Sequence, residues 1–388
     1  MRIIALHEAA FPVQSTMRNA VFSFAEMTTS IVAVRLDSGT GNGPVTGYAF
    51  NSTGRYACGQ SMRERFFPRL LRAKPESLLD ASGVLDPAKA VATMLVGEKP
   101  GGHAERCIAI GTIETALWDA VGKSQDLPTA ELLARRYRGG PMHQKVSVYV
   151  GGGWYRPGGL PQDVADEIRS HQESGYTHVK IKVGGASLDE DLRRIECALG
   201  VLPDSGHLAV DANCKFERDE ALAYATALAP YRLRWFEEPC DPNDFSLMAE
   251  LTSVYAPPLS AGENLYGMQD VVNLIRLGGW RSGRDLIQVD PPQSYGMDAY
   301  ATMVLDLEAR GWQATSHFPH GGNQMSLALA AGLGLGGCEA YPGVFGSFGG
   351  FADGTVVEGG YIQPPQLPGI GFEGHSALYA LMRTVGAD

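Results

Sequence analysis

The chain has 388 residues, of which 44% are hydrophobic and 19% charged, a balance typical of a folded protein larger than one ordinary domain. Its net charge of −11, with no basic run interleaved with aromatics, argues against a nucleic-acid surface. No run approaches the roughly 20 apolar residues of a membrane span, and the opening MRIIALHEAAF, interrupted by His7 and Glu8, does not read as a signal peptide.

The first segment reads as α+β. SIVAVRLD and VTGYAFNS are strand-like, and SGTGNGP between them supplies turn residues. A helical stretch follows near Arg63–Arg72. A second runs over about Ala104–Val121, where Ile108, Ile110, Ile113, Leu117 and Val121 fall near helical spacing. Asp126-Leu-Pro-Thr opens one more. From about Lys145 the pattern alternates: KVSVYV, HVKIKV, HLAV, LRWF, PLSA, LIQV, WQATS and GCEAY are separated by segments long enough for a helix and its loops. Such alternation implies a parallel sheet. Eight strand candidates favour a closed barrel, with a doubly wound sheet as the alternative. GLGLGG follows a helix rather than a strand, so it lacks the setting of a dinucleotide loop. The tail from about Gly349 is rich in Gly and Pro, becomes helical near Ser376–Thr384, and is expected to pack back on the first segment. Six scattered cysteines (58, 107, 197, 214, 240, 338) without a CxxC pair read as reduced, cytoplasmic thiols rather than a disulfide frame or zinc site.

Within the alternating region four acids close apolar runs at nearly equal intervals: Asp211, Glu237, Glu263 and Asp290, with gaps of 26, 26 and 27 (237−211, 263−237, 290−263). Lys182 lies 29 residues before the first and His320 lies 30 after the last. A barrel of eight strand–helix units averages about 31 residues per unit. Polar residues at successive strand ends of a parallel barrel converge on one mouth, so the period predicts a single site.

Asp211, Glu237 and Glu263 offer oxygen ligands with no Cys or His beside them, which selects Mg²⁺ or Mn²⁺ over zinc. The competing reading is ordinary strand-end acids paired with Lys or Arg. Lys180 and Lys182 lie at i and i+2 of one strand and face the same way. Either could serve as a general base, or both could be solvated surface lysines. Asp290 can fix the tautomer and raise the basicity of His320, with His317 as the competing histidine. Glu339, on the last strand, could reach a substrate from the far side or be a buried structural acid. A positioned acid or base supplies about 10²–10⁴-fold, too little by itself to remove a proton beside a carboxylate. Metal, Lys and His together therefore suggest enolisation of a small carboxylate substrate.

At these residues the sequence resembles the enolase superfamily, in its mandelate racemase-like branch. MTTS, GRY, RERF, EKPGGH, VDAN, GENL, SYG, PHGG, QMSL, AAGLGLGG and LPGIGFEG carry the resemblance over nearly the whole chain, and within the branch they look most like the D-tartrate dehydratases. The resemblance implies a modified (β/α) TIM-type barrel at 141–348, an α+β capping domain at 1–140, and a segment at 349–388 returning to the cap. It implies one Mg²⁺ per subunit on Asp211, Glu237 and Glu263, Lys182 as the base, and His320, oriented by Asp290, as the acid that protonates a departing β-hydroxyl. Lys180 would lie near the substrate carboxylate. Asn51 and Lys99 would hold its distal part, with Arg18 contributing from the first loop, and Glu339 would complete the pocket. The implied reaction is dehydration of an acid sugar to a 2-keto acid, with D-tartrate to oxaloacetate as the specific case. A homo-oligomer, often an octamer, is the family-level expectation.

The sequence departs from the family pattern at Pro291-Pro292-Gln293-Ser294, at Asn323 where a second His is expected, and at His317 where a non-basic residue is expected. These positions lie beside the pocket and bear on substrate identity. Competing functions are a dehydratase of another aldonate or aldarate, a racemase or epimerase of a 2-hydroxy acid using the same Lys and His, and a non-catalytic binding protein on the same fold. The intact set of Lys182, Asp211, Glu237, Glu263, Asp290 and His320 opposes the last.

Overall fold

The computed structural model describes residues 1–39 and 43–386. The first segment forms an antiparallel three-stranded sheet in the order β1 (Arg2–Pro12), β2 (Thr28–Asp37), β3 (Val45–Phe50). The centre of the turn expected through SGTGNGP, residues 40–42, lies outside the described residues. β2 is buried on both faces along most of its length, which explains its continuous apolar run. One neighbour is the helix Glu105–Ser124, buried at every residue from Cys107 to Gly122. That helix is not amphipathic because it is covered all round. Gly47 of β3 presses so closely on it that a Cβ would collide with the backbone at Ala116 and Ala120. The other neighbour is the tail helix Ser376–Met382, whose Tyr379 meets Tyr48 edge-on at 6.0 Å.

The second sheet is parallel and curls through β4 (Val146–Gly152), β5 (Val179–Lys182), β6 (Leu208–Asp211), β7 (Phe236–Glu237), β8 (Leu259–Ala261) and β9 (Leu286–Ile287), with β10 (Cys338–Ala340) paired to β4. The gap between β9 and β10 is spanned by backbone at His317. It bridges Ile287, and its carbonyl accepts the Gly336 N–H at 3.0 Å. Eight positions thus close a (β/α) barrel. The expected strand WQATS is displaced: Ala314–Ser316 form a 3₁₀ turn, and the extended backbone begins at His317. The shift places Phe318 in an interior cluster with Tyr149, Ala209 and Trp235, which fills the barrel below the site. A short strand, β11 (Tyr361–Ile362), adds antiparallel to β4, so the tail touches the barrel as well as the cap. GLGLGG ends the helix Gln324–Leu333, with Gly334 in the left-handed cap conformation (φ 66°), and leads into β10.

The inward parity of the strands positions the site. Tyr149, Lys180, Ala209 and Trp235 fill the barrel. Two residues on, Lys182, Asp211 and Glu237 point the same way at the carboxyl edge.

Candidate active site and metal centre

Strand register brings the first residues together. Lys182 pairs with Asp211 across β5 and β6, and Asp211 pairs with Glu237 across β6 and β7. Glu263 lies two residues beyond the end of β8. The intervening Gly262 has φ +143°, and a Cβ there would sit 2.8 Å from the backbone nitrogens of Gln288 and Val289. Asp211, Glu237 and Glu263 each offer an oxygen within 4.8 Å of the others. Asp211 Oδ1 accepts the Asn213 N–H at 2.8 Å, and Glu237 Oε2 accepts the Trp235 indole N–H at 2.7 Å. Asn213 (φ 48°), Cys214 (φ 60°) and Glu238 (φ 42°) adopt left-handed backbone directly after two of these acids. Non-glycine residues in that conformation are strained and cluster at functional sites.

The site gathers acids and cations together. Six carboxyl groups (Asp211, Glu237, Glu238, Glu263, Asp290, Glu339) lie with Lys180, Lys182, His320 and, at the rim, Arg55, and burial raises both Glu237 and Glu238 above the usual carboxylate range. Lys180 is fully buried, with Nζ 2.5 Å from Glu237, 2.7 Å from Glu339 and 3.3 Å from Asp211. Burial opposes its charge, but Glu237 and Glu339 hold it well above the usual lysine range. Lys182 Nζ lies 2.5 Å from Asp211 Oδ2 and 5.0 Å over the Trp154 ring. Burial would raise the Asp211 carboxyl, yet Lys182 and Lys180 together outweigh it and hold it low. Glu237 is pushed up to about 8, chiefly by burial. The donor set is all oxygen and convergent, which suits a hard cation and not a thiolate- or imidazole-seeking one.

On the opposite side, His320 Nδ1 is 2.8 Å from Asp290 Oδ2, and its Nε2 is 3.3 Å from Glu263 and 3.9 Å from Glu339. Burial lowers the imidazole pKa. The carboxylate of Glu263 and the hydrogen bond to Asp290 outweigh it and raise it to about 10. His317 is fully buried, neither ring nitrogen has a hydrogen-bond partner, and burial pushes it down to about 3.

Lys182, Glu263 and His320 line one small cavity of about 20 Å³ with Asn213, Gln293, Arg55, Trp154 and Tyr341. The Asn213 and Gln293 side-chain oxygens are buried without partners. The remaining expected residues sit elsewhere. Glu339 is buried behind Lys180, with Oε1 accepting from Tyr341 at 2.6 Å. Asn51 is fully buried and its amide is engaged by Ser30, Thr29, Arg55 and Tyr56, so it does not line the cavity. Lys99 is exposed on a loop, and its carbonyl accepts from Arg106 at 2.8 Å. Arg18 borders a separate hollow of about 540 Å³ that shares Asn19 and Trp154 with the cavity. Sequence reasoning passed over Arg55, Asn213, Asn264, Trp154 and Tyr341. Arg55 and Asn264 lay inside GRY and GENL, quoted for likeness and not for chemistry.

Residues 163–377 match the family described as enolase C-terminal domain-like. An arabinonate dehydratase of Saccharolobus solfataricus is 25% identical over 361 residues, 91% of this chain and 90% of the relative. A 3,6-anhydro-alpha-L-galactonate cycloisomerase of Streptomyces coelicolor is 32% identical over 280 residues, 70% of each chain. The structure of L-talarate/galactarate dehydratase from Salmonella typhimurium LT2, liganded with Mg and L-lyxarohydroxamate, shares the fold. Its TM-score is 0.74 at 24% identity, covering 94% of this chain and 88% of that one. With the match at 163–377 covering more than half of its length, and with a strand-end carboxylate triad on the barrel, this chain belongs to the enolase superfamily.

Proposed function

We propose that the chain is an Mg²⁺-dependent acid-sugar dehydratase that converts D-tartrate to oxaloacetate. The observation that carries this reading is the placement of Lys182 and His320 in one cavity with the carboxylate triad between them. Dehydratases and a magnesium-liganded structure among its relatives support it.

Asp211, Glu237 and Glu263 would hold the metal. When bound, Mg²⁺ would supply positive charge where the substrate carboxylate gains negative charge on enolisation. Lys182, as the free amine, takes the proton alpha to that carboxylate. The C–H electron pair enters the enolate, then returns to form the C=C bond as the β C–O bond breaks. His320 gives its Nε2 proton to the departing oxygen, which leaves as water, and the enol tautomerises to the 2-keto acid. Lys180 neutralises the acid cluster from beneath. The cavity is walled by Trp154, Tyr341, Phe345 and Phe24. It holds little more than a water molecule, so its walls must move to admit substrate, and the adjoining hollow that shares Asn19 and Trp154 lies next to it. The second reading, a racemase, uses His320 as the base toward one enantiomer without expelling water; the dehydratases among the relatives favour elimination.

The same proposal takes residues 1–140 as cap, 141–348 as barrel and 349–388 as the returning segment, in a cytoplasmic homo-oligomer. All six cysteines are free, and no helix among the described residues is long and apolar enough to cross a membrane.

Proton NMR in D₂O with Mg²⁺ tests the reading against D-, L- and meso-tartrate and a panel of hexonates and hexarates. A 2-keto product from D-tartrate is expected. Deuterium incorporation without that product would replace it with the racemase reading, and a product from a six-carbon acid alone would overturn the tartrate assignment.

A further inference from the structure

We propose that Arg55 is a positioning residue that stitches the three carboxylate-bearing loops together from the capping side, so that docking of the cap sets the geometry of the metal site. The inference rests on the reading of Asp211, Glu237 and Glu263 as metal ligands.

Arg55 follows β3, some two hundred residues from the loops it reaches. Its Nε donates to the Tyr266 hydroxyl at 2.9 Å, its Nη2 donates to Asn264 Oδ1, and its Nη1 donates to the Gly54 carbonyl at 2.9 Å. Asn264 is the residue after Glu263. Its amide donates to both carboxylate oxygens of Glu238, at 2.9 and 2.7 Å, and Glu238 is the residue after Glu237. Glu238 in turn accepts the Cys214 thiol at 3.2 Å, while its carbonyl accepts the Cys214 N–H at 2.7 Å. Cys214 closes the strained turn that begins at Asp211. One continuous chain of hydrogen bonds therefore touches the backbone just beyond each of the three acids. None of its members belongs to the triad itself.

The loop that carries Arg55 is held in its own right. Asn51 Oδ1 accepts the Ser30 N–H at 2.5 Å, and its Nδ2 donates to the carbonyls of Arg55 and Tyr56. Asn51 thus fixes Arg55 against the cap sheet, and Arg55 reaches across to the barrel. A guanidinium suits the task because its planar fork donates in fixed directions to two acceptors at once. Three of its five N–H groups are engaged by Tyr266, Gly54 and Asn264. Groups hydrogen-bonded directly to metal ligands typically govern metal affinity by about 10–100-fold; Arg55 acts one residue further back, through Asn264, so the low end of that range is expected.

The test is calorimetric titration of Mg²⁺, without substrate, into EDTA-stripped wild type, Glu263→Gln, Arg55→Met, Arg55→Lys and Asn264→Ala, with the melting temperature of each metal-free protein. Wild type should bind one Mg²⁺ per chain and Glu263→Gln should lose it. Arg55→Met should bind about 10-fold more weakly, with a lowered metal-free melting temperature but a folded protein. Arg55→Lys should not restore binding. Adding Asn264→Ala to Arg55→Met should cost less than the sum of the two single losses, because the pair shares one contact while Asn264 also holds Glu238. If Arg55→Met fails to fold, Asn264→Ala carries the same expected loss. Absence of Mg²⁺ binding by wild type would overturn the metal reading and this proposal with it. Normal binding by Arg55→Met, alongside loss in Glu263→Gln, would overturn the positioning role alone. A raised KM in that case would mark Arg55 as a substrate contact.

Discussion

Asp290 holds the His320 imidazole through Nδ1 at 2.8 Å, which leaves Nε2 turned to the cavity beside Glu263 at 3.3 Å. The carboxylate behind the ring favours the charged imidazolium, the form that can give a proton away. Asp290→Asn removes that charge and lowers the imidazole pKa from about 10. The acid works only while protonated, so activity is lost above its pKa. The alkaline limb of the kcat profile should move to lower pH in Asp290→Asn, with activity at neutral pH down by about 10²–10⁴-fold. A profile superimposable on wild type would show that Asp290 does not tune His320.

Lys182→Ala should abolish exchange of the alpha proton with D₂O, a loss of at least about 10²–10⁴-fold. Mg²⁺ binding should persist, because Asp211 retains its bond from the Asn213 N–H. NMR exchange and calorimetry on the same sample separate the two. Exchange at the wild-type rate would remove Lys182 from the base role.

The two histidines should respond differently. His320→Asn is expected to block loss of water while leaving exchange through Lys182. His317 lines no part of the cavity and is fully buried, so His317→Asn should change stability and leave turnover near wild type. Normal dehydration by His320→Asn, with none by His317→Asn, would reverse the assignment.

His317 also carries a pH signature. Its folded pKa is pushed from 6.5 to about 3, so between those values the unfolded chain binds a proton that the folded chain refuses. Stability is therefore unaffected above pH 6.5 and falls as the pH drops toward 3. At about 1.4 kcal/mol per unit, this group alone costs roughly 2 kcal/mol between pH 6.5 and 5. Denaturant unfolding of His317→Gln should show a shallower loss over that window, and an unchanged slope would refute the attribution.

Gly262→Ala should cost about 1–3 kcal/mol of stability, because the new Cβ meets backbone it cannot displace and the residue must keep a positive φ. The strain falls next to Glu263, so Mg²⁺ affinity should drop as well. Thermal melts with and without Mg²⁺ read both effects.

The acid triad was legible in the sequence because a strand–helix unit has a nearly constant length, and a constant period at strand ends becomes one circle in space. Lys180 and Lys182 were legible as a pair from strand parity. Their division of labour was not, since only the fold shows Lys180 enclosed by Glu237 and Glu339 while Lys182 borders the cavity. The seventh strand was misplaced because WQATS alternates like a strand, and only the need to bring Phe318 under Trp235 and Tyr149 moves the extended backbone to His317. Glu238 was invisible beside Glu237, because its left-handed backbone turns what should be an outward side chain into a buried one. The link from Arg55 to Asn264 spans 209 residues and leaves no periodic trace.

The tail has a consequence for synthesis. Ile370 donates to Asp119 at 2.7 Å, Glu373 pairs with Lys123 at 2.7 Å, and Phe372 packs on Phe50. The cap sheet, translated before the barrel, is thus covered by residues translated after every barrel strand. On the ribosome the face that meets the tail stays bare from the end of β3 until Ile370 is added, 320 residues later (370−50), or tens of seconds at about 5–20 residues per second. Elongation speed through that stretch sets how long the nascent chain can aggregate, a liability that vanishes once the tail helix docks.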